Sequence, residues 1–289
     1  GRVAPGTIIF LFTRNFHETC MPQHDDPEML RVPLDKTVLR VKLLLRRFGR
    51  TSDLLAQALS PPPPSQVFAA VKALYHAGAL TREDEDGEVT QLGRLAVDLP
   101  VDLPLVKLIL LARAFGCLNE GIVMAGALSV QDLFLMPSRV FVRDQGKYLK
   151  ELQGNSAARV DFDGGTCSEP LMLLAAYKHW LASDRHQRWA KQKSMSFPRL
   201  KQLDLLVAEL AVKLQTLLDA TGEDARLLVR LSRLHATCLH ATSAKREALL
   251  DLFSRDLALL RFLLAGACAP TFLDCLVRAQ AKAVEKNYK

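Results

Sequence analysis

The sequence predicts a mainly α-helical chain, in which a small helix-and-hairpin unit precedes a larger helical bundle. Three observations carry this. Leucine and alanine dominate, aromatics make up only 7% and hydrophobic residues 49%, a composition that favours helices and allows a sizeable core. Apolar residues recur at intervals of three and four, most plainly at Leu200, Leu203, Val207, Leu210, Leu214 and Leu217, which is the period of one helical face. β signals are confined to one short apolar run near the N-terminus and one hairpin-type pair, Asp86-Gly87.

Taken in order, Thr7-Ile8-Ile9-Phe10-Leu11-Phe12 follows Pro5-Gly6 and has the length of a buried strand. A single strand needs a sheet, so its partners are expected upstream, outside this chain. Leu34, Val38, Val41, Leu45 and Phe48 mark one helical face, stopped at Gly49. Ser52 is placed as the cap of a short helix bearing Leu55, Ala58 and Leu59. Pro61, Pro62, Pro63 and Pro64 form a stiff connector. A PxxP ligand is the competing reading of that run, but its position between two core helices favours the link. Ser65 caps the next helix, with Val67, Val71 and Leu74 inward and Gly78 as its stop. Residues 81–88 then form an acidic hairpin that returns through Val89-Thr90. Three short helices and a hairpin make a winged-helix pattern over residues 32–98. Such domains often bind DNA through the helix before the wing. Here that helix is poor in Arg and Lys, and the wing carries Glu83, Asp84, Glu85, Asp86 and Glu88, which would repel phosphates. The unit therefore reads as a scaffold.

Leu99-Pro100-Val101-Asp102 opens the second unit, residues 99–289. Leu105, Leu108, Ile109 and Ala112 share a helical face that stops at Gly116, and Asn119 is placed as the cap of a helix running to Leu128. Residues 137–167 have weak periodicity and read as a long connector. Ser168-Glu169-Pro170 starts a helix bearing Leu171, Leu174, Tyr177 and Leu181. Trp180 and Trp189 are candidates for base stacking, although apolar helical neighbours favour a core position for Trp180. Ser196 and Pro198 mark the start of the longest helix, which Gly222 ends, and further helices are expected at about 223–240 and 243–265. The chain closes on a basic tail with Lys282, Lys286 and Lys289.

Several short motifs fall in an order that resembles the helicase-associated region of DEAH-box (DExH) RNA helicases. They are Leu74, Gly78-Ala79-Leu80, Thr90-Gln91-Leu92-Gly93, Leu99-Pro100-Val101-Asp102, Lys107, Cys117 and Leu128-Ser129. Pro27-Glu28-Met29-Leu30-Arg31 resembles the family's linker, Leu173-Leu174 with Tyr177 and Trp180 a further helical pattern, and residues 260–270 the segment before its OB-fold. Leu103 stands where the family usually has proline, with Pro104 one place later. Residues 115–190, with Val207-Ala208-Glu209-Leu210, resemble the Tudor-domain branch of spindle-E type. The resemblance implies that residues 1–31 are the end and linker of a RecA-like α/β motor domain, 32–98 a winged helix, and 99–289 a ratchet-like bundle ending before an OB-fold. It also implies that Gly1-Arg2 closes the last motor motif, with Arg2 reaching the γ-phosphate of ATP, and that Phe10 replaces the usual Arg. The implied role is an accessory part of an ATP-dependent RNA helicase that lines a single-stranded RNA channel and couples motor motion to translocation.

The chain has no GxxxxGK[ST] P-loop and no DEAH-type metal motif, so ATP and Mg2+ are expected in the complete helicase and neither in this fragment alone. Cysteines at 20, 117, 167, 238, 268 and 275 make no CxxC pair, and the histidines no HExxH, so reduced thiols and no metal site are expected. No run has the roughly 18 apolar residues of a membrane span, and no signal peptide is evident, so an intracellular location, cytoplasmic or nuclear, is expected. With no initiator Met, the chain reads as part of something longer. The formal charge of +7 is a mild bias toward polyanions. Its densest cations are Arg185, Arg188, Lys191, Lys193, Arg199 and Lys201 around the start of the long helix. Of these, Arg188, Lys193, Arg199 and Lys201 are the candidate RNA contacts. Two rival readings stay open: a helical protein-interaction module of an inactive helicase-like protein, and a stand-alone winged-helix factor, which the acidic wing argues against.

Overall fold

The computed structural model describes residues 3–22, 24–183, 187–218, 222, 226, 228 and 256–268. The described part is mainly helical, and its β structure amounts to two isolated antiparallel bridges, Leu80 with Val89 and Phe134 with Met195. Arg2, Arg185, most of the expected helix at 223–240 and the basic tail lie outside the described residues.

The apolar run at residues 7–12 is not a strand. A strand exists only by pairing, and no ladder partner is present among the described residues. The run is exposed instead, with Ile9 81% and Leu11 96% accessible. Phe10 stacks near Phe12 (5.3 Å) and His17 (4.9 Å), and a helix the periodicity did not reveal, α1 (Arg14–Cys20), follows with Thr13 as its cap. α2 (Glu28–Arg31) is a single turn behind Pro27.

The winged-helix half is built from α3 (Asp35–Leu44), α4 (Thr51–Ala56), α5 (Pro64–His76), the hairpin and α6 (Gln91–Asp98). α3 buries Leu34, Val38 and Leu39, while Leu45 and Phe48 are exposed. The expected face stops early because the chain tightens into a 3-10 turn over Arg46–Phe48 before Gly49, at φ +143°. Ser52 lies inside α4 and is not its cap; its hydroxyl donates to Glu85 Oε2 at 3.0 Å. Leu59 is fully exposed. Pro63 caps α5 and Pro64 is its first residue, where a missing N–H costs nothing, so Ser65 already lies in the helix. Val67, Val71 and Leu74 are buried as expected. Gly78 at φ +85° lets Ala79 N–H return to Leu74 C=O at 2.8 Å, closing the helix. α6 follows the wing, with Thr90 Oγ1 accepting from Gly93 N–H.

The second half comprises α7 (Leu103–Ala114), α8 (Leu118–Ser129), α9 (Gln145–Asp163), α10 (Glu169–Ala182), α11 (Gln187–Gln192), α12 (Phe197–Leu217) and α13 (Leu257–Cys268). α8 is its centre. Every residue from Leu118 to Ala127 is buried, because α7, α10 and α12 all pack on it. Asn119 is therefore inside the helix, not its cap, which is Cys117. Gly121 permits the α7 contact, since a Cβ there would lie 2.3 Å from Ala112 Cβ. Gly126 does the same for α12, where Leu203 Cδ1 would stand 3.1 Å away. Leu200, Leu203, Val207, Leu210 and Leu214 of α12 are buried as the spacing requires. Tyr177 hydroxyl donates to buried Asp204 at 2.8 Å, tying α10 to α12, and Trp180 is core.

The expected connector at 137–167 is in large part the 19-residue helix α9. It lies on the surface and buries only Asn155, Ala158 and Phe162, too few to show a face in the sequence. Its ends are marked, by Asp144 accepting from Lys147 N–H at 2.6 Å and by Gly164 in the left-handed conformation. Buried residues from Leu34 to Ala267 form one hydrophobic cluster shared by both halves, with Leu99 and Val101 inside it.

Candidate nucleic-acid interface

The wing's carboxylates are mostly exposed, and Glu83, Asp84, Glu85 and Glu88 are each bonded to a group of the same half. Lys42 of α3 donates to the backbone oxygens of Glu85 (2.6 Å) and Gly87 (3.1 Å). Burial lowers the pKa of this ammonium, and the nearby carboxylates of Glu85, Asp84 and Asp86 oppose that. Arg46 pairs with Glu88 at 2.9 Å, Lys72 with Glu83 at 3.2 Å and Arg82 with Asp84 at 2.6 Å. The acidic hairpin is thus pinned to α3 and α5, the place where a DNA-reading winged helix would present cations.

The cations at the start of α12 surround a loop that leaves α8. Phe134 bridges Met195, Leu135 N–H donates to Ser194 C=O and Ser196 N–H to Leu133 C=O, both at 2.8 Å. This short ladder fixes the approach to α12 and holds Ser194 at φ +54°. Asp132 organises the loop: its Oδ1 accepts from Phe134 N–H at 3.0 Å, its Oδ2 pairs with Arg159, and its carbonyl accepts from Arg199. Lys193 pairs with Asp161 at 2.7 Å and lies 5.4 Å from the Phe162 ring centre. That pairing holds the Asp161 carboxyl below its ordinary pKa, the hydrogen bond from Lys193 being the main cause. Lys201 is exposed, its ammonium 4.7 Å from the Phe197 ring centre, and Arg188 is exposed on α11.

Lys193 and Arg199 are therefore brought onto one surface, each already bonded to the loop or to α9. Sequence reading missed Arg159, which donates to buried Asn155 at 3.2 Å and lies 4.6 Å over Phe134; its signal was hidden because α9 read as a connector. It also passed over the basic stretch at 137–150, which is visible in the sequence as Arg139, Arg143, Lys147 and Lys150. Among the described residues no group of three or more His, Cys, Asp or Glu side chains is arranged to hold a metal. No described helix is long and apolar enough to cross a membrane. Cys20, Cys117, Cys167 and Cys268 are free thiols.

Two family models match the chain in succession: the winged-helix part of the helicase associated domain (HA2) at residues 70–101 and its ratchet-like part at 102–196. Among curated proteins, the ATP-dependent RNA helicase TDRD9 of Rattus norvegicus is 38% identical over 226 residues, 73% of this chain and 15% of the relative. TDRD9 of Danio rerio is 32% identical over 288 residues, 95% of this chain and 19% of the relative. The probable ATP-dependent RNA helicase spindle-E of Anopheles gambiae is 33% identical over 231 residues, 75% and 15% respectively. The chain thus spans under a fifth of the length of these relatives.

Proposed function

Because this chain belongs to the helicase-associated winged-helix and ratchet-like family of RNA helicases, we propose that it forms part of the wall of a single-stranded RNA channel and passes motor motion onto the RNA. The observation that carries this is the division of charge. Glu83, Asp84, Glu85 and Glu88 of the wing are engaged within their own half, whereas Arg188 and Lys201 of the bundle are exposed. Phosphate contact then falls to the second half, with Arg188, Lys193, Arg199 and Lys201 at the α11–α12 junction as participants. Lys193 and Arg199 would exchange some of their internal bonding for phosphate.

In the same proposal, the exposed apolar run at residues 7–12 completes the sheet of an upstream motor domain, which supplies the missing ladder partner. ATP and Mg2+ belong to that motor. Arg2, which lies outside the described residues, would reach the γ-phosphate there. A downstream OB-fold would complete the channel.

The test is anisotropy of a fluorescent oligouridine against salt concentration, for the complete helicase and for Lys193→Gln, Arg199→Gln and Lys201→Gln together. The same number of neutralisations in the tail (Lys282, Lys286 and Lys289) is the control. The junction set is expected to lower the log–log salt slope by about 0.7 for each phosphate that is no longer neutralised, and the tail set to leave it unchanged. Equal responses would sink the assignment of the junction, and salt-independent binding would sink the RNA role.

A further inference from the structure

We infer that residues 139–150, the loop after Met136 and the first turns of α9, form a platform for single-stranded RNA, with phosphates on its cations and a base on Phe141. The inference rests on the RNA role proposed above and gives it a second surface.

Residues 137–150 hold Arg139, Arg143, Lys147 and Lys150 against Asp144, four positive less one negative, or +3. All four cations are exposed. Among the described residues none of them forms an ion pair, unlike Lys193. Asp144, the one carboxylate of this stretch, is exposed too, and its Oδ1 already accepts from Lys147 N–H as the helix cap. Lys147 and Lys150 are three apart on α9 and share a side of it. Arg139 is placed by its own stack, its guanidinium 4.9 Å from the Tyr148 ring centre.

An exposed ring points the same way, independently of charge. Phe141 is 88% accessible and Val140 77%, an unusual exposure for apolar side chains flanked by cations. The backbone that presents them is hydrogen-bonded within the turn. Phe141 N–H and Val142 N–H both donate to Ser138 C=O, at 3.1 and 2.9 Å, and Val140 N–H donates to Ser138 Oγ. An aromatic face held on a fixed turn between cations suits a base already unstacked from its neighbours. Duplexes, with their bases stacked inside, offer it nothing. The loop also leaves from Leu135, bonded to Ser194, so the platform adjoins the α12 junction and one strand can cross both.

The experiment uses the 289-residue chain, fluorescent oligouridine and a salt series. Three proteins are compared with wild type: Arg139→Gln with Arg143→Gln, Lys147→Gln and Lys150→Gln; Phe141→Ala alone; and the junction triple variant. The first is expected to lower the salt slope by about 2 to 3, at about 0.7 per phosphate. Phe141→Ala is expected to weaken binding roughly tenfold at unchanged slope. Far-UV circular dichroism and the melting temperature, unchanged in both, separate a binding defect from a folding defect. Oligouridine binding that persists with its full slope in the quadruple variant overturns the platform while leaving the RNA role standing. No oligouridine binding by the wild-type chain at low salt overturns both. Equal affinity for polyglutamate, insensitive to Phe141→Ala, overturns the platform in favour of an acidic protein partner.

Discussion

Glu120 is 1% exposed in the first turn of α8. Burial raises its pKa, its own backbone N–H and Lys178 opposing this. The folded state therefore holds a proton that the unfolded chain releases near the ordinary carboxylate value. The favourable contribution is complete below that value and is lost as pH rises through the higher, folded one. Glu120→Gln removes the titration and keeps the shape. Relative to the variant, wild type is expected to be more stable at pH 4 than at pH 7, measured as the difference in urea midpoints at the two pH values. A difference that grows in the opposite direction would show that Lys178 outweighs burial. Nothing in the sequence marked this carboxylate as buried. The helix from Asn119 to Leu128 was legible, but only the packing of three neighbours closes every side of it.

At the scale of elements, the wing is the clearest case of a partly legible structure. Asp86-Gly87 announced a reversal, and the hairpin forms, with Thr81 N–H on Glu88 C=O and Thr90 N–H on Ala79 C=O, each at 3.0 Å. The turn itself is different: Gly87 N–H closes on Asp84 C=O, so Glu85 and Asp86 occupy its centre. Its anchoring by Lys42, 43 and 45 residues away, was beyond any local pattern. Hydrogen bonds from a charged donor contribute roughly 1.5–3 kcal/mol, but a buried ammonium also carries a desolvation cost. In Lys42→Met these two nearly offset in global stability, while the hairpin loses its tether. The expected outcome is a change of less than about 1 kcal/mol in global unfolding, with hydrogen exchange at the Thr81 and Thr90 amides accelerated tenfold or more. Unchanged exchange would mean that Arg46 and Lys72 suffice as anchors. α9 shows the opposite failure of legibility. Asp144 and Gly164-Gly165 punctuate it correctly, but a surface helix that buries three side chains has no stripe to read.

For the molecule as a whole, the helical class and the bundle were legible because α7, α10 and α12 each carry a regular apolar face. Residues 7–12 read as a strand whose sheet lies outside this chain; among the described residues the run has no ladder partner and forms no strand, since pairing is a property of whatever lies beside it. The continuity of the core across Leu99 and Val101 was not legible either, because Pro100 and Pro104 mark a change of direction equally well whether or not the two sides pack together.

The all-round burial of α8 has a consequence for the order in which the chain is made. Its α7 side is covered as soon as the two helices meet, but the Gly126 side waits for Leu203 and Val207, more than seventy residues later. Until α12 has left the ribosome, the central helix of the bundle has one bare flank, and the nascent chain is at its most adhesive. A polypeptide stopped at residue 196, the end of the ratchet-like match, would stay in that condition. It is expected to pellet or to bind a hydrophobic dye, whereas one continued through Leu217 remains monomeric in sedimentation. Equal solubility of the two would show that α8 finds cover elsewhere.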